Sequence, residues 1–240
     1  MRRYFYDLHI HSCLSPCGDD DSTPYNIAGM AKISGLDIVA LTDHNTAKNC
    51  PAFFKACEGY GIVAVAGMEL TTSEDIHAVC LFERLEDAMS FDEYVDKHRM
   101  KIKNREDIFG RQLILGEDDR LIGTEEYLLS NATDISIEDA KQIVASFGGI
   151  CYPAHIDRDA NGIIAVLGTF PSPSEFSIYE LRDKENKDKY EELYSLADKM
   201  AIFSSDAHYL TDISDAENFF LLEECDSAEL VRSRLFELLR

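Results

Sequence analysis

The sequence Tyr-Phe-Tyr-Asp-Leu-His-Ile-His, residues 4–11, decides how the rest of this 240-residue chain is interpreted. It is an aromatic, strand-like run that ends in two histidines one residue apart, His9 and His11. Residues i and i+2 of a strand point to the same face, so these two imidazoles can reach one point in space. A His-x-His pair taken alone is more often an ordinary pair of surface or core side chains than a metal site. Its meaning therefore depends on the other histidines.

The remaining histidines and acids of interest share a pattern, because each stands beside a short apolar run. The runs 38–41, 62–67, 150–152 and 201–203 lead into such residues, whereas the run 78–82 is preceded by one. The C-terminal ends of the strands of a parallel barrel meet at one rim, where active sites lie. We therefore expect these residues to gather in space although they are scattered in sequence. They are His44, Glu69, His77, His155, Asp206 and His208.

Predicted strands and helices alternate in the first third of the chain. Thr23, followed by proline, indicates a helix start with Thr as N-cap and Pro at the first helical position, and this helix is expected to reach Ile33. Residues 51–60 form a second predicted helix, between strands predicted at 37–41 and 62–66. This rhythm favours a parallel sheet or barrel.

His77 breaks the rhythm, because it precedes the apolar run 78–82 instead of following it. Either that strand runs in the opposite direction, or a loop carries His77 inward. The sequence leaves both explanations open.

The second half of the chain is interpreted as part of the same domain, residues 1–240, with one insertion. The insertion is a small hairpin at about 110–131, formed by the runs 113–115 and 121–123. We find no internal repeat, linker or low-complexity tail. The predicted helices are 91–105, which contains His98 as a solvated surface residue, 136–147, 162–168, 187–198 and 227–239. The predicted strands are 150–152, 176–181, 201–203 and 219–222, and 171–174 is a Pro/Ser loop.

The composition limits the kind of partner. With 45% apolar residues the chain can build a large core, and it contains no run of about 18 apolar residues and no basic, apolar, cleavable N-terminus. We therefore expect no membrane partner and a cytoplasmic location. The formal charge of −22 disfavours long nucleic acids, whose binding depends on Lys and Arg. A small phosphorylated substrate is compatible with this charge, because bound cations can dominate their own site. The sequence leaves the oligomeric state open.

The seven cysteines occur without CxxC spacing or a regular framework, so most of them indicate buried, small apolar side chains. Cys80 and Cys151, inside apolar runs, fit this interpretation. Cys17 lies in the polar, turn-rich loop 12–21 and does not fit it. We therefore add Cys17 to the candidate ligands.

The candidate ligands exceed what one tetrahedral ion needs, since a catalytic zinc usually keeps three protein ligands and an open position. Two or three divalent ions are therefore expected, and imidazole and carboxylate ligands favour zinc, iron or manganese over calcium. A close cluster of such ions activates water to hydroxide and stabilises the attacking and leaving oxygens of a phosphoryl displacement. The candidates are His9, His11, Cys17, His44, Glu69, His77, His155, Asp206 and His208.

Ordered motifs that span nearly the whole chain resemble those of the PHP (polymerase and histidinol phosphatase) superfamily, and most of all its stand-alone metal-dependent phosphoesterases. The resemblance implies a distorted (β/α)7, TIM-like barrel of the α/β class, with a metal cluster at the C-terminal rim of the strands. It also implies hydrolysis of phosphoric esters. The motifs are Asp7-Leu-His-Ile-His11, Thr42-Asp-His44, Gly67-Met-Glu69, Asp75-Ile-His77, Pro153-Ala-His155 and Ser205-Asp-Ala-His208.

Carried over residue by residue, the resemblance implies three ion positions. Relatives take the last ligand of the third ion from an Asp or His shortly after the first motif, where this chain has Ser15-Pro-Cys-Gly18. Cys17 could supply a thiolate there, which would favour zinc or iron. The alternatives are an Asp from 19–21, or a weak or absent ion. The implied sets are His9, His11, Glu69 and Asp206 for the first ion, Glu69, His77 and His155 for the second, and His44, His208 and the loop residue for the third.

The leading hypothesis is a phosphoesterase that acts on a small phosphorylated substrate by a metal-activated hydroxide. The substrate class is a phosphomonoester or the end of a nucleotide or oligonucleotide. Asp206 and His208 are candidate catalytic residues as well as ligands. Arg158 is a third candidate, because it could bind the substrate phosphate bidentately. Its alternative role is an ion pair with Asp157 or Asp159.

Two other functions stay open. A metal-dependent amidohydrolase shares the His-x-His motif, but such enzymes often use a bridging modified lysine, and no Lys stands at the matching positions. A non-catalytic, metal-binding regulatory module predicts lost ligands, and only the Cys17 region departs from the pattern. Asp43 is expected to orient His44, as carboxylates beside metal-bound histidines commonly do. The rim loops 110–131 and 168–177, which are expected to set specificity, carry no recognisable motif.

Overall fold

A computed structural model describes residues 1–171 and 176–240 of the chain. None of the helices in these two ranges has the length and apolar character needed to cross a membrane. The strands are β1 (Arg2–Asp7), β2 (Ile38–Leu41), β3 (Val63–Thr71), β4 (His77–Phe82), β5 (Leu113–Leu115), β6 (Leu121–Thr124), β7 (Ile150–Pro153), β8 (Ile178–Leu181), β9 (Met200–Phe203) and β10 (Phe219–Leu222). The helices are α1 (Pro24–Ile33), α2 (Cys50–Tyr60), α3 (Leu85–His98), α4 (Glu106–Phe109), α5 (Ile137–Ser146), α6 (Ile163–Leu167), α7 (Lys187–Tyr194) and α8 (Ala228–Leu239).

The strands form a distorted barrel. One sheet has the order β10-β1-β2-β3-β4-β7, and β8 pairs with β9 in parallel. The two sheets meet where the Ile156 N–H donates to the Glu180 carbonyl at 2.9 Å. The ring closes where the His11 N–H donates to the Ala207 carbonyl, also at 2.9 Å. The predicted α/β class with a TIM-like barrel is therefore confirmed.

Strand β4 runs against its neighbours. It is antiparallel to β3 on one side and to β7 on the other, and Thr71 pairs with His77 at the start of β4. A reversed strand begins at the rim where the parallel strands end. His77 therefore reaches that rim because its strand enters from the opposite direction, which decides between the two explanations. The same pairing extends β3 to Thr71, beyond the predicted end at Ala66.

Two apolar layers flank the sheet and hold the rim in place. Alternate residues of β2 face opposite layers, with Ile38 and Ala40 inside the barrel and Val39 and Leu41 beneath the helices. Strands buried on both faces read as continuous apolar runs, which is why these runs were visible in the sequence. The inner layer is completed by residues of α8, and the outer layer by residues of α1, α2, α3 and α5.

Two helices begin at side-chain caps, and the first of these caps is the predicted one. The Thr23 Oγ1 accepts a hydrogen bond from the Asn26 N–H at 3.2 Å, and the Ser136 Oγ accepts one from the Asp139 N–H at 3.1 Å. α7 ends earlier than predicted, at Tyr194. Of the predicted Pro/Ser loop 171–174, residues 172–174 lie outside the described residues.

The prediction for α3 is wrong at both ends, since it covers Leu85–His98 and not 91–105. Ala88, buried in the first turns, extends the apolar face toward the N-terminus. At the C-terminus the chain becomes extended at Arg99, whose side chain is only 2% exposed and pairs with Glu125 of the insertion at 2.8 Å. This long-range ion pair holds Arg99 outside the helix, and the local sequence pattern does not predict the pair. His98 is half-buried and pairs with Asp134 at 2.7 Å.

The predicted hairpin is present, because β5 and β6 pair antiparallel. Asn49, at the start of α2, holds the hairpin through side-chain hydrogen bonds. Its Nδ2 donates to the Leu113 carbonyl at 3.1 Å and to the Ser12 Oγ at 3.0 Å, and its Oδ1 accepts the Leu115 N–H at 2.9 Å. The insertion is thereby attached to the loop that follows β1. The assignment of residues 1–240 to one domain stays a prediction.

Candidate metal centre

Eight of the nine candidate ligands meet at one rim of the barrel. Each follows or begins a strand: two follow β1, one follows β2, one lies in β3, one begins β4, one follows β7 and two follow β9. All are buried except the last, which is half-buried. They are His9, His11, His44, Glu69, His77, His155, Asp206 and His208.

The Glu69 carboxylate is the hub of this cluster and is only 1% exposed. Both of its oxygens face imidazole nitrogens, which is the arrangement expected of a carboxylate that bridges two ions. Oε1 lies 2.8 Å from His77 Nδ1, 3.0 Å from His155 Nε2 and 3.3 Å from His9 Nε2, and Oε2 lies 2.9 Å from His44 Nδ1 and 3.3 Å from His11 Nε2.

Three groups of possible ligand atoms lie within 4.8 Å of one another in the described residues. The first equals the set that the family resemblance implied for the first ion. The second has His44 where the resemblance implied His155, and the third has His11 where a loop residue was expected. That these residues bind ions stays a prediction. The groups are His9, His11, Glu69 and Asp206; His44, Glu69 and His77; and His11, His44 and His208.

Several inward-facing atoms of the cluster have no hydrogen-bond partner. They include His44 Nδ1, His77 Nδ1, Glu69 Oε2 and Asp206 Oδ1, all buried. The short His44–Glu69 and His77–Glu69 distances lack hydrogen-bond geometry. A buried polar group without a partner costs about 1–3 kcal/mol, so several at one place are expensive unless a cation binds them. These residues therefore fit divalent ions.

Glu180, which was not predicted from the sequence, supports this cluster. Its side chain is buried, and Oε1 accepts the His9 Nδ1–H at 2.9 Å and the His155 backbone N–H at 3.0 Å. With Nδ1 bonded to Glu180, Nε2 is the nitrogen of His9 that faces the cluster, as in metal-bound histidines supported by a carboxylate. The available signal was an acid inside the otherwise apolar strand β8, since buried Glu is rare without a partner.

Asp43 supports the cluster through a hydroxyl. It accepts hydrogen bonds from the Ser12 N–H and Oγ and from the Ser15 Oγ, each at 2.7 Å. Because the Ser15 hydroxyl donates to Asp43, it accepts the His11 Nδ1–H at 2.9 Å. Asp43 therefore orients the imidazole of His11 and not that of His44. The Ser15 Oγ meets only the backbone N–H of His44, at 3.1 Å.

His155 and Asp206 adopt left-handed backbone conformations, with φ of +27° and +53°. Such conformations cost of order 1–3 kcal/mol and persist where the surroundings hold them. The backbone bond to Glu180 holds His155 on one side. On the other side the chain packs closely at Gly162, where an added Cβ would come within 2.7 Å of the Arg158 carbonyl oxygen. Both strained residues face the cluster.

Arg158 reaches the mouth of the site. Its Nη1 donates to Asp206 Oδ2 at 2.6 Å, and its side chain is 35% exposed. Asp157, one of its expected alternative partners, instead accepts the backbone N–H groups of Arg182 and Asp183. The contact of Arg158 with a substrate phosphate stays a prediction.

Cys17 lies outside the three groups. Its thiol is exposed in the turn that follows β1. It approaches His44 closely enough to influence the pKa of that imidazole.

The histidines of the cluster differ in pKa: His11 and His44 have raised values, and His208 has a lowered one. Burial alone would lower the pKa of His11 and His44, but Glu69, together with Asp206 for His11 and Cys17 for His44, outweighs it and raises both pKa values to about 9. For His208, burial and the charge of the neighbouring His11 outweigh the effect of Asp206 and lower the pKa to about 3. Its Nδ1 must donate to the Asp206 carbonyl, at 2.8 Å, so its Nε2 keeps a lone pair.

The pKa of Glu69 is well below its usual range: burial would raise it, but the charges of His77, His9 and His44 outweigh that effect. Glu69 is therefore an anion at neutral pH. In the metal-free protein, protons on His9, His11 and His44, whose pKa values are raised, balance this charge. Divalent ions would take over that role, because bound ligands must release their protons.

The sequence of this chain is similar to those of known proteins. The family model described as the PHP domain matches residues 7–216. An uncharacterised protein of Methanocaldococcus jannaschii is 34% identical over 100 residues, which cover 38% of this chain and 58% of the relative. The chain thus matches less than two thirds of that relative's length.

Solved structures share the fold. The lesion-specific endonuclease PfuEndoQ from Pyrococcus furiosus superposes with a TM-score of 0.66 at 18% identity, over 97% of this chain and 56% of that one. A protein of Bifidobacterium adolescentis, provisionally described as a metal-dependent phosphoesterase, gives 0.60 at 17% identity, over 97% and 96% of the two chains. The family match contains every residue of the eight-member cluster, from His9 to His208. The chain therefore belongs to the PHP domain family.

Proposed function

We propose that this chain is a metal-dependent hydrolase that cleaves phosphoric esters at the Glu69 cluster. The observation that carries the proposal is the set of buried nitrogen and oxygen atoms around Glu69 that have no hydrogen-bond partner. Membership of the PHP family and the likeness to a described phosphoesterase support it.

Two or three divalent ions, zinc, iron or manganese, would be held by residues of the three groups described above, with the single free nitrogen of His11 serving one ion. When bound, such ions supply Lewis acidity toward phosphoryl oxygens and lower the pKa of water.

Residues around the cluster orient its histidines. Glu180, and Asp43 through Ser15, fix the imidazoles of His9 and His11 so that their Nε2 atoms face inward. A fixed ring direction removes the cost of ordering the ligand when an ion arrives.

Arg158, at the mouth, is paired with Asp206 of the cluster. Arg158 occupies Asp206 Oδ2, while Oδ1 faces the cluster without a partner. The guanidinium keeps further N–H donors in a planar fork that suits the oxygens of a phosphate group. His208, which is half-buried, stands at the same opening.

The substrate class that fits best is a small phosphorylated molecule, a phosphomonoester or the end of a nucleotide or oligonucleotide. A chain with a formal charge of −22 lacks the excess of Lys and Arg that long polyanions require. One structural neighbour is an endonuclease, so the preference against long DNA stays a prediction that an assay must test.

The test uses the full chain, stripped with a chelator and reloaded with zinc, ferrous iron or manganese. Wild type, Asp206→Asn and the exposed-site control Asp198→Asn are assayed on an aryl phosphate monoester, an aryl diester, a nucleotide and duplex DNA. We expect turnover on a small ester by wild type and by Asp198→Asn, and loss of turnover in Asp206→Asn. Bound metal without hydrolysis of any ester would favour the amidohydrolase or regulatory alternative.

A further inference from the structure

Asp7, the last residue of β1, is a fully buried acid that the candidate metal centre does not use. It pairs with Val39 of β2, which packs in the apolar layer beneath the helices, so the Asp7 side chain lies on the outer face of the sheet. A carboxylate at such a place is rare unless hydrogen-bond donors meet it. Asp7 belongs to none of the three ligand groups, so ligation does not explain its position.

The donors that meet Asp7 come from both ends of the loop that follows β9, residues 204–214. Oδ1 accepts the Ser205 N–H and Oδ2 accepts the Ser214 N–H, each at 3.1 Å. One carboxylate of β1 therefore closes this loop. Loop 204–214 carries Asp206 and His208, the two residues of the candidate centre that follow β9.

Asp206 lies directly between two attachments of the loop to the segment that begins with β1. Ser205, on its N-terminal side, is bonded to Asp7, and Ala207, on its C-terminal side, accepts the His11 N–H at 2.9 Å. The φ of Asp206 is +53°, a conformation that persists where the surroundings hold it. Loss of the Asp7 carboxylate would remove the first of these attachments.

We propose that Asp7 is a positioning residue that fixes Asp206 and His208 at the rim, and thereby raises the affinity of the ligand groups that contain them. The inference rests on the metal centre of the proposed function. Two of the three groups contain a residue of loop 204–214, whereas the group that contains His77 has none. Asp7 should therefore affect ions of the first two groups and leave the His77 group unchanged.

Two variants break the attachment at different points. Asp7→Asn keeps the shape of the side chain, but the amide has one acceptor oxygen, and its NH2 group would face a backbone N–H. One end of loop 204–214 therefore loses its bond. Ser214→Pro removes the N–H that Oδ2 accepts and leaves Asp7 intact, so it provides the same test if Asp7→Asn fails to fold. Ile213 already has the extended conformation, φ −59° and ψ 130°, that proline favours in the residue before it.

The experiment measures metal affinity and not turnover. The metal-free full chain is titrated with zinc in competition with a chromogenic chelator, which resolves the successive affinities. Asp206→Asn and His77→Ala are titrated in parallel to show which step depends on which group. We expect Asp7→Asn and Ser214→Pro to weaken the Asp206-dependent step by at least ~10-fold, the lower figure for loss of a supporting residue. The His77-dependent step should stay unchanged.

Two further variants separate positioning from a general loss of stability. Asp37 also accepts a backbone N–H of β1, that of Phe5 at 2.9 Å, but nearer the start of the strand. Asp37→Asn should therefore leave every zinc affinity unchanged. The double variant Asp7→Asn/Asp206→Asn should lose little at this step beyond the loss in Asp206→Asn, because both changes act on the same ligand group.

Equal weakening of every zinc step in Asp7→Asn would overturn the proposal, because it would show a general structural role. Unchanged affinities in both attachment variants would also overturn it, as would wild-type protein that binds no zinc. Wild-type protein that shows the Asp7-dependent step but hydrolyses no ester would support the role of Asp7 and contradict only the proposed function.

Discussion

The inner cluster and the mouth of the site differ in how their side chains are held. Inner-cluster residues are buried, and the fold or a neighbouring residue fixes them; mouth residues are partly or wholly exposed and lie on loops. From this difference we expect the barrel to determine where ions bind, and the residues of the mouth to contact the substrate. The inner cluster comprises His9, His11, His44, Glu69, His77, His155 and Asp206; the mouth comprises Cys17, Arg158 and His208.

The largest effect is expected from Glu69→Gln, which removes the charge at the hub of the inner cluster. Two of the three ligand groups contain Glu69, so both should weaken. We expect metal affinity to fall by at least ~100-fold, the upper figure for a supporting residue, and turnover to be lost. Equilibrium dialysis with metal analysis measures this effect, with the exposed Glu58→Gln as the matched control. Unchanged metal content in Glu69→Gln would contradict the role of the hub.

Glu180→Gln tests whether support of the inner cluster can be separated from ligation itself. The amide keeps the shape of the side chain but replaces the anion that accepts the His9 Nδ1–H. We expect metal affinity to fall by ~10–100-fold, with turnover recovering when excess metal is supplied. Competition against a chromogenic chelator measures the affinity, and the exposed Glu192→Gln is the control. A turnover defect that excess metal does not relieve would argue against a positioning role.

Arg158→Gln tests the mouth. We expect KM for the phosphorylated substrate to rise about 10-fold, with metal content unchanged, because a substrate contact is lost while the ligand groups remain. Arg182→Gln, an exposed arginine on the neighbouring loop, is the control. A fall in metal content with no change in KM would show that Arg158 serves Asp206 alone.

The smallest effect is a dependence of metal binding on pH. In the metal-free protein the pKa values of His11 and His44 are about 9, and the carboxylates of Glu180, Glu69 and Asp206 hold that of His9 well above its usual range, so all three imidazoles carry an extra proton at pH 7 and must lose it when an ion binds. Apparent metal affinity should rise with pH up to at least about 9, with release of roughly three protons per protein at pH 7. Calorimetry in buffers of different ionisation enthalpy measures the proton count. Binding without proton release would contradict the charge state assigned to the inner cluster.

Much of the inner cluster was predictable from sequence, because each ligand stands beside an apolar run and such runs are the strands of the barrel. The direction of β4 was not, since an apolar run reads the same whether its strand is parallel or antiparallel. His77 could therefore be assigned to the site but not explained. Its place at the rim follows from the pairing of β4 with β3, which only the structure reveals.

Supporting residues were harder to predict because their partners are distant in sequence. Glu180 lies 171 residues from His9 and looks like part of an ordinary strand. Asp43 was expected to orient the adjacent His44, but it accepts a hydrogen bond from Ser15, whose hydroxyl in turn accepts one from His11. The end of α3 depends in the same way on the Arg99–Glu125 pair. Local patterns report which residues are buried, but not which partners they meet.

The most direct test of the account is anomalous diffraction from crystals of the full chain reloaded with zinc. We expect at least two anomalous peaks within bonding distance of the Glu69 carboxylate, one of them shared with His9, His11 and Asp206. Crystals that contain zinc but show no peak at Glu69 would contradict it.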